Sequence, residues 1–256
     1  MDLGLTGRRA LVFGSTSGLG LAVAESLAAE GARVAIAGRR ADVASEVAAR
    51  LPGAIAVPGD ITEDGTPERL VAEAAAGLGG LDILVMNTGG ARPGGMLDVT
   101  GADEDAAYRT TLRPPLVATR AAIPHLRASG AGAVAYITAR SVLETSPDLA
   151  LSGVFRSGVA AAARSLAIEL APEVRVNVVV PGQFGTPALG RFEASLAQKE
   201  GLTPEQVRAD HVAQIPAGRV GRAEELADVI TFLCSDRASF VTGTVVRVDG
   251  GAVLGY

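Results

Sequence analysis

Ala10-Leu-Val-Phe-Gly14-Ser-Thr-Ser-Gly18-Leu-Gly20 decides the fold of this chain. Its first four residues are apolar and uncharged, as a strand covered on both faces should be. The glycines after them let the backbone turn tightly and approach another group closely, and a helical pattern, Leu19 to Ala29, starts at once. A strand that runs through glycines into a helix gathers free N–H groups and the positive helix end at one point, which suits a pyrophosphate. A Gly-x-x-x-Gly-x-Gly run by itself can also be a turn that merely needs glycine, so the context must decide.

That context is regular. Val34-Ala-Ile-Ala37, Ala54-Ile-Ala-Val57, Ile83-Leu-Val-Met86, Ala133-Val-Ala-Tyr-Ile137, Val176-Asn-Val-Val-Val180 and Val245-Val-Arg-Val248 repeat the short, β-branched character of the first run. Helix-length segments alternate with them: Glu68 to Ala76, Glu104 to Leu126, Gly153 to Leu170 and Ala223 to Cys234. The alternation predicts an α/β fold: one Rossmann-type, doubly wound, parallel seven-stranded sheet with helices on both faces, spanning residues 1–256 as a single domain. Ligands then belong at the carboxyl ends of the strands. The longest stretch without a strand, Gly182 to Arg222, reads as an insertion over that edge. A substrate lid at about 184–216 is the expectation, and a merely structural helical pair the alternative.

Composition narrows the partners. The net charge is -5, from 28 acidic and 23 basic residues dispersed along the chain, which leaves no footprint for nucleic acid or an anionic membrane. No apolar run approaches the ~20 residues of a bilayer span, and Met1 to Arg9 carries no signal-peptide pattern. A cytoplasmic protein with a small-molecule substrate is expected. The lone cysteine, Cys234, sits in an apolar stretch and reads as core packing. His125 and His211 show no metal-ligand spacing, so no metal is expected.

Ser15, Ser17 and Leu19 complete the glycine turn. The second strand ends at Gly38-Arg39-Arg40, where a carboxylate on the adenosine ribose would select NAD. Guanidinium groups instead match a phosphate, so Arg39, with Arg40 and Ser15 in support, favours the 2′-phosphate of NADP(H) over NAD(H). A solvated arginine pair is the plain alternative. Asp60, followed by Ile61 after the third strand, is placed to accept from an adenine amino group.

Gly14-x-x-x-Gly18-x-Gly20, Asp60, Asn87-Thr-Gly-Gly90, Asn177 before Pro181-Gly182, Thr186 and Val248-Asp-Gly-Gly251 stand in the order of the landmarks of the short-chain dehydrogenases/reductases. The chain resembles that family over residues 5 to 252, and Pro216 to Ala227 is similar to the corresponding segment of ketoacyl-carrier-protein reductase-like members. The resemblance implies that Asn87 and Gly89 line the adenosine and ribose side of the cofactor, that Pro181 and Gly182 flank the nicotinamide, and that Thr186 meets the carboxamide or diphosphate. It also implies a homo-oligomer, with a tetramer through two long central helices favoured. The small residues Gly158 to Ala163 suit such helix contact and suit packing on the sheet equally well.

The resemblance fails at the active centre. Lys199 is the only lysine, and the tyrosines are Tyr108, Tyr136 and Tyr256, so no Tyr-x-x-x-Lys pair exists. Alignment on Ser165-Leu-Ala167 puts Ser152 at the family's tyrosine and Arg156 at its lysine. Ala139 then falls at its serine, and Thr111, aligned through Thr119-Arg-Ala121, at its asparagine. A phenol near pKa 10 can be tuned into an acid, whereas a serine hydroxyl lies far higher and arginine stays protonated. Loss of a positioned acid costs roughly 10²–10⁴-fold in rate.

Arg140 and Ser141 directly follow Ala139 and are candidate substitutes, or else ordinary strand-exit residues. Tyr136 and Tyr108 read as packed side chains, His125 as the end of a surface helix, and His211 as a lid residue open to facing substrate. Pro114 and Pro115 interrupt the long central helix and deprive the Thr110 and Thr111 carbonyls of their donors. In the family the asparagine at this bend holds a water through its carbonyl, so the prolines either rebuild that site, with Arg156 as a fixed cation beside it, or only bend a surface helix. Three functions follow: an NADP(H)-dependent oxidoreductase on a ketoacyl-like carbonyl or alcohol with an atypical active site, a non-redox lyase, dehydratase, isomerase or cyclase, or a cofactor-binding protein without turnover.

Overall fold

The computed structural model of the chain describes residues 2–145 and 148–254; Tyr256 lies outside them. The elements run β1 (Arg9–Phe13), α1 (Gly18–Ala29), β2 (Arg33–Gly38), α2 (Ala41–Arg50), β3 (Ile55–Pro58), α3 (Thr66–Leu78), β4 (Ile83–Asn87) and α4 (Gly101–Ala107). A π-helical turn, Tyr108–Leu112, then leads into α5 (Arg113–Ala128). β5 (Gly132–Ile137), α6 (Ala150–Glu169), β6 (Val174–Pro181), α7 (Pro187–Glu200), α8 (Pro204–Ala213), α9 (Ala223–Cys234) and β7 (Val245–Val248) complete the chain.

All seven expected strands form one parallel sheet in the order β3-β2-β1-β4-β5-β6-β7. The period of two along each strand divides the core into two layers. Ala10 and Val12 of β1 pack with Val23 and Leu27 of α1 and Ile230 of α9, while Leu11 and Phe13 point to the layer holding Leu70 of α3, Leu126 of α5 and Val159 of α6. Each such fully buried aliphatic side chain contributes about 1.5–3 kcal/mol. β7 departs from the expectation of strands covered on both faces, because it is an edge strand and Val245 stays 42% exposed. Cys234 is buried as expected, and burial pushes its thiol up to about 12, so it stays protonated. No helix among the described residues is long and apolar enough to cross a membrane.

Strand order reverses at β1, whose neighbours are β2 on one side and β4 on the other. The α1 and α5 crossovers leave opposite faces there, opening a crevice at the carboxyl ends of β1 and β4.

The helix expected over Glu104 to Leu126 is divided. Pro114 and Pro115 have no N–H to donate to Thr110 and Thr111, so an α-helix cannot run through them. The backbone widens instead: Arg113 N–H donates to Tyr108 O, five residues back, and the prolines occupy the opening positions of α5, where a missing N–H costs nothing.

The insertion after β6 is a helical pair, α7 and α8, joined by a buried carboxylate. Glu193, 3% exposed in its side chain, accepts from Arg208 Nε at 3.1 Å and Nη2 at 2.8 Å. His211 stacks on Phe192 with ring centroids 5.9 Å apart, and its Nδ1 lies 3.6 Å from Glu193, so it turns into the helical pair. Arg208→Ala strands the Glu193 charge. With the arginine half exposed, the expected loss is about 1–3 kcal/mol, localised to the pair. Limited proteolysis should show cleavage between residues 187 and 213 well below the global Tm, and Glu193→Gln in the same background should reverse part of it.

Candidate functional site

The turn after β1 has no room for side chains. Gly14 and Gly18 adopt positive φ values of 63° and 60°. A Cβ on Gly14 would lie 2.8 Å from both the side-chain nitrogen and the carbonyl oxygen of Asn87. One on Gly20 would strike the Gly14 carbonyl and lie 2.8 Å from the same Asn87 nitrogen. Asn87 Nδ2 itself donates to Gly14 O at 3.4 Å, fastening the end of β4 to the turn. Ser17 stands before α1 in extended conformation without a side-chain capping bond, so the first N–H groups of the helix stay free to meet an anion. Leu19, half-buried, packs on the first core layer.

Thr186 caps α7 by accepting from Leu189 N–H at 3.4 Å, and it lies 3.5 Å from where a Gly18 Cβ would stand. The start of the helical pair thus closes over the glycine turn. On the other wall Gly182 N–H donates to Val248 O at 2.9 Å, and a Cβ there would come within 2.6 Å of the Asp249 backbone. This contact is why Pro181-Gly182 and Val248-Asp-Gly-Gly251 occur together. Asn177 lies away from this wall, donating to Val241 O at 2.8 Å and so tying β6 to the segment before the amino end of β7.

At the end of β2, one expectation is corrected. Ser15 is fully buried; its hydroxyl donates to Val12 O at 2.7 Å and accepts from Ala37 N–H at 3.0 Å. It ties β1 to β2 and cannot support a phosphate. Thr16, the next residue, stands nearer the arginine pair: its hydroxyl accepts from Arg40 Nη2 at 3.3 Å. The turn at Gly14 ends the strand alternation, which is why the sequence did not single Thr16 out. Arg39 is largely exposed, 4.0 Å from Asp60 Oδ2. Burial works to raise the Asp60 pKa, but two bonds from Thr62 and the Arg39 charge outweigh it and hold the carboxyl below its usual range. Ile61 is partly buried against the second core layer.

The substituted residues converge at the ends of β4 and β5. Ser152, in the first turn of α6, lies with its hydroxyl 3.2 Å from that of Ser141. Of the two candidate substitutes, Ser141 therefore joins the centre and Arg140 does not: Arg140 pairs with Glu144, one turn on, at 3.5 Å. Ala139 precedes them in extended backbone.

Arg156 is buried, and its guanidinium donates to Ile137 O at 3.3 Å, Thr88 O at 3.4 Å and Gly89 O at 3.2 Å. No carboxylate among the described residues pairs with it, and Nε has no partner. Burial lowers its pKa to about 10, so it carries a positive charge at neutral pH. Thr111, 1% exposed in the π-helical turn, also has an unpartnered hydroxyl. That turn approaches Gly89 through the Thr110 methyl, 3.4 Å from where a Cβ would stand.

Tyr136 is packed: its hydroxyl shares a 2.6 Å bond with Thr119, and burial drives its pKa well above the ordinary phenol value. Tyr108 keeps 43% of its surface exposed and leans on Phe155, so it is less packed than expected. His125 lies in the last turn of α5.

Residues 14–253 match the family model described as Enoyl-(Acyl carrier protein) reductase. The human dehydrogenase/reductase SDR family member 4 is 34% identical over 254 residues, covering 96% of this chain and 88% of that protein. The chain belongs to the short-chain dehydrogenase/reductase family. Another relative in this family, the cis-4-hydroxycyclohexanecarboxylate dehydrogenase of Sinomonas cyclohexanicum, is 36% identical, covering 95% of this chain and 96% of that enzyme. The L-sorbose reductase of Gluconobacter frateurii, solved with NADPH and L-sorbose, superposes with a TM-score of 0.94 at 27% identity and covers 100% of both chains.

The crevice of this short-chain dehydrogenase/reductase fits a dinucleotide in three respects: a turn stripped of Cβ atoms, free helix N–H groups, and two buried polar atoms, Arg156 Nε and Thr111 Oγ1, without partners. Gly20→Ala forces the turn away from Asn87 and should cost about 1–3 kcal/mol of stability, with at least a tenfold loss of dinucleotide affinity. Gly90→Ala, whose Cβ meets nothing within 4 Å, should change neither. Thermal melts with and without NADPH check both variants.

Proposed function

We propose that this chain is an NADP(H)-dependent oxidoreductase of small carbonyl or alcohol substrates, working without the family's tyrosine acid. The observation that carries it is Arg156: a buried cation, unpaired with any carboxylate among the described residues, at the strand ends beside the Ser141–Ser152 hydroxyl pair. Burying a charge in this way costs several kcal/mol unless an anion or a developing negative charge comes to meet it. That chemistry exists when a carbonyl oxygen turns into an alkoxide. The named relatives are dehydrogenases and reductases, which supports redox chemistry over a lyase or isomerase, or a protein without turnover.

When bound, reduced nicotinamide supplies the hydride that bonds to the carbonyl carbon, while the oxygen keeps the carbonyl π pair and finally takes a proton from water. Ser152 and Ser141 hold the substrate oxygen by donated hydrogen bonds. Arg156 holds the Thr88–Gly89 segment in place and adds its field to the developing charge in a site of low dielectric. Neither serine is a strong enough acid to replace a tuned phenol, so turnover should be roughly 10²–10⁴-fold below that of a complete relay. Ala139 leaves space where a third hydroxyl would stand. Asn87, Gly89, Pro181, Gly182 and Thr186 frame the dinucleotide, with Asp60 Oδ2 toward the adenine. A homo-oligomer, favoured as a tetramer, fits the family pattern, and residues 1–256 act as one domain with α7 and α8 as its lid.

The arginine pair after β2 favours NADP(H). No carboxylate follows the strand directly, and Asp60 already lies 4.0 Å from Arg39. NADP(H) should bind at least tenfold more tightly than NAD(H), which corresponds to about 1.4 kcal/mol from a charged contact to the 2′-phosphate. Arg39→Ala and Arg40→Ala should each narrow the ratio in titration calorimetry; equal affinities in the wild type would refute the preference.

Arg156→Met removes the charge at similar volume. It should weaken NADPH binding and activity together while Tm stays within a few degrees, because the loss of three backbone acceptor contacts is offset by release of a buried charge. Ser152→Ala should lower kcat and leave NADPH affinity unchanged. A fully active Arg156→Met would show that the cation plays no part in the chemistry.

A further inference from the structure

Beside the hydroxyl pair, a groove of about 810 Å³ runs between the β4–α4 loop, the β5–α6 loop and the first turns of α6. Its walls include Met96, Leu97, Leu143, Leu149 and Val154, and Ser141 is also part of its lining. Met96, Leu97, Leu143 and Val154 are half or fully exposed, an unusual concentration of large apolar side chains around one opening. The volume falls in the range of small-molecule sites, about 300–1,000 Å³.

Charge limits what the groove can hold. Among the described residues its lining contains Asp98 and Glu144 but no lysine, arginine or histidine. Among the described residues, the exposed cations near it are paired with carboxylates, Arg140 to Glu144 at 3.5 Å, Lys199 to Asp148 at 3.4 Å and Arg92 to Asp103 at 3.3 Å, while the unpaired Arg156 is buried and turned to the Ile137, Thr88 and Gly89 carbonyls rather than into the groove. A carboxylated substrate, or a thioester on a phosphorylated carrier arm, needs an uncommitted arginine or lysine. Taking one here breaks an existing pair and brings the anion toward Asp98.

We infer that this groove holds the body of the substrate, and that the substrate is an uncharged, largely apolar ketone or secondary alcohol on an aliphatic or alicyclic frame, its oxygen directed to Ser141 and Ser152. This rests on the oxidoreductase reading above and narrows its substrate class. The apolar walls supply affinity by removing hydrocarbon from water, and Ser141, a lining residue hydrogen-bonded to Ser152, supplies a polar group that can fix orientation.

The test compares 4-propylcyclohexanone with 4-oxocyclohexanecarboxylate on the full chain. Affinity is measured by calorimetry in the presence of NADP⁺, which needs no turnover, and NADPH consumption is followed separately by absorbance. The neutral ketone should bind at least tenfold more tightly. Val154→Trp, at a half-exposed position, should fill the groove and weaken neutral-ketone binding at least tenfold with Tm unchanged, whereas Val154→Arg should raise affinity for the carboxylate. Equal or tighter binding of the carboxylate by the wild type, no binding of the neutral ketone, or an unaltered affinity in Val154→Trp would each overturn the inference. So would a Val154→Trp effect confined to the sedimentation profile, which would make the groove a contact between copies. Selective binding of the neutral ketone without NADPH consumption would sink the oxidoreductase reading and leave the ligand class standing; consumption with the carboxylate preferred would do the reverse.

Discussion

The end of β4 approaches the β1–α1 turn so closely that neither Gly14 nor Gly20 can carry a Cβ, and the rest of the functional edge depends on this contact. β1 and β4 are neighbours at the point where strand order reverses, so their ends border the crevice. Asn87 fixes one border by donating to Gly14, and the two residues after it, Thr88 and Gly89, turn their carbonyls to Arg156. One strand end therefore connects the dinucleotide turn to the altered catalytic centre. A shift of β4 would move both.

On the proposed reading, Ser152 and Arg156 donate hydrogen bonds and hold a charge where a tyrosine and lysine pair would move a proton. Ser141 lies within 3.2 Å of Ser152, and Arg156 is shielded from solvent, where a fixed charge acts most strongly. Arg156 Nε and Thr111 Oγ1 are buried without hydrogen-bond partners, which is costly.

The central helix shows how backbone chemistry can reshape a site from outside it. Pro114 and Pro115 do not touch the crevice through hydrogen bonds, yet their missing donors impose the wide turn that carries Thr110 to Gly89 and buries Thr111. On the opposite side, Thr186 places the start of α7 over Gly18, and the Glu193–Arg208 pair joins α7 to α8.

Local pattern was enough to determine the seven strands, their parallel arrangement and the glycine turn, because periodicity, β-branching and residue identity act over a few neighbours. It also singled out Ser152 and Arg156 as candidates. Tertiary structure alone decided which of them meet. Ser15 looked available but lies inward, since the left-handed turn at Gly14 carries its hydroxyl back to Val12 O and Ala37 N–H; Thr16 then stands beside Arg40. Ser141 rather than Arg140 reaches Ser152, because Glu144 one turn along captures the arginine. The break at Pro114 was visible, but its form as a π-helical turn was not, because that choice depends on the packing of Leu112 against Gly158 and Thr110 against Gly89 from distant parts of the chain. Contacts between residues far apart in sequence follow from how the layers pack, and that information is absent from any local stretch.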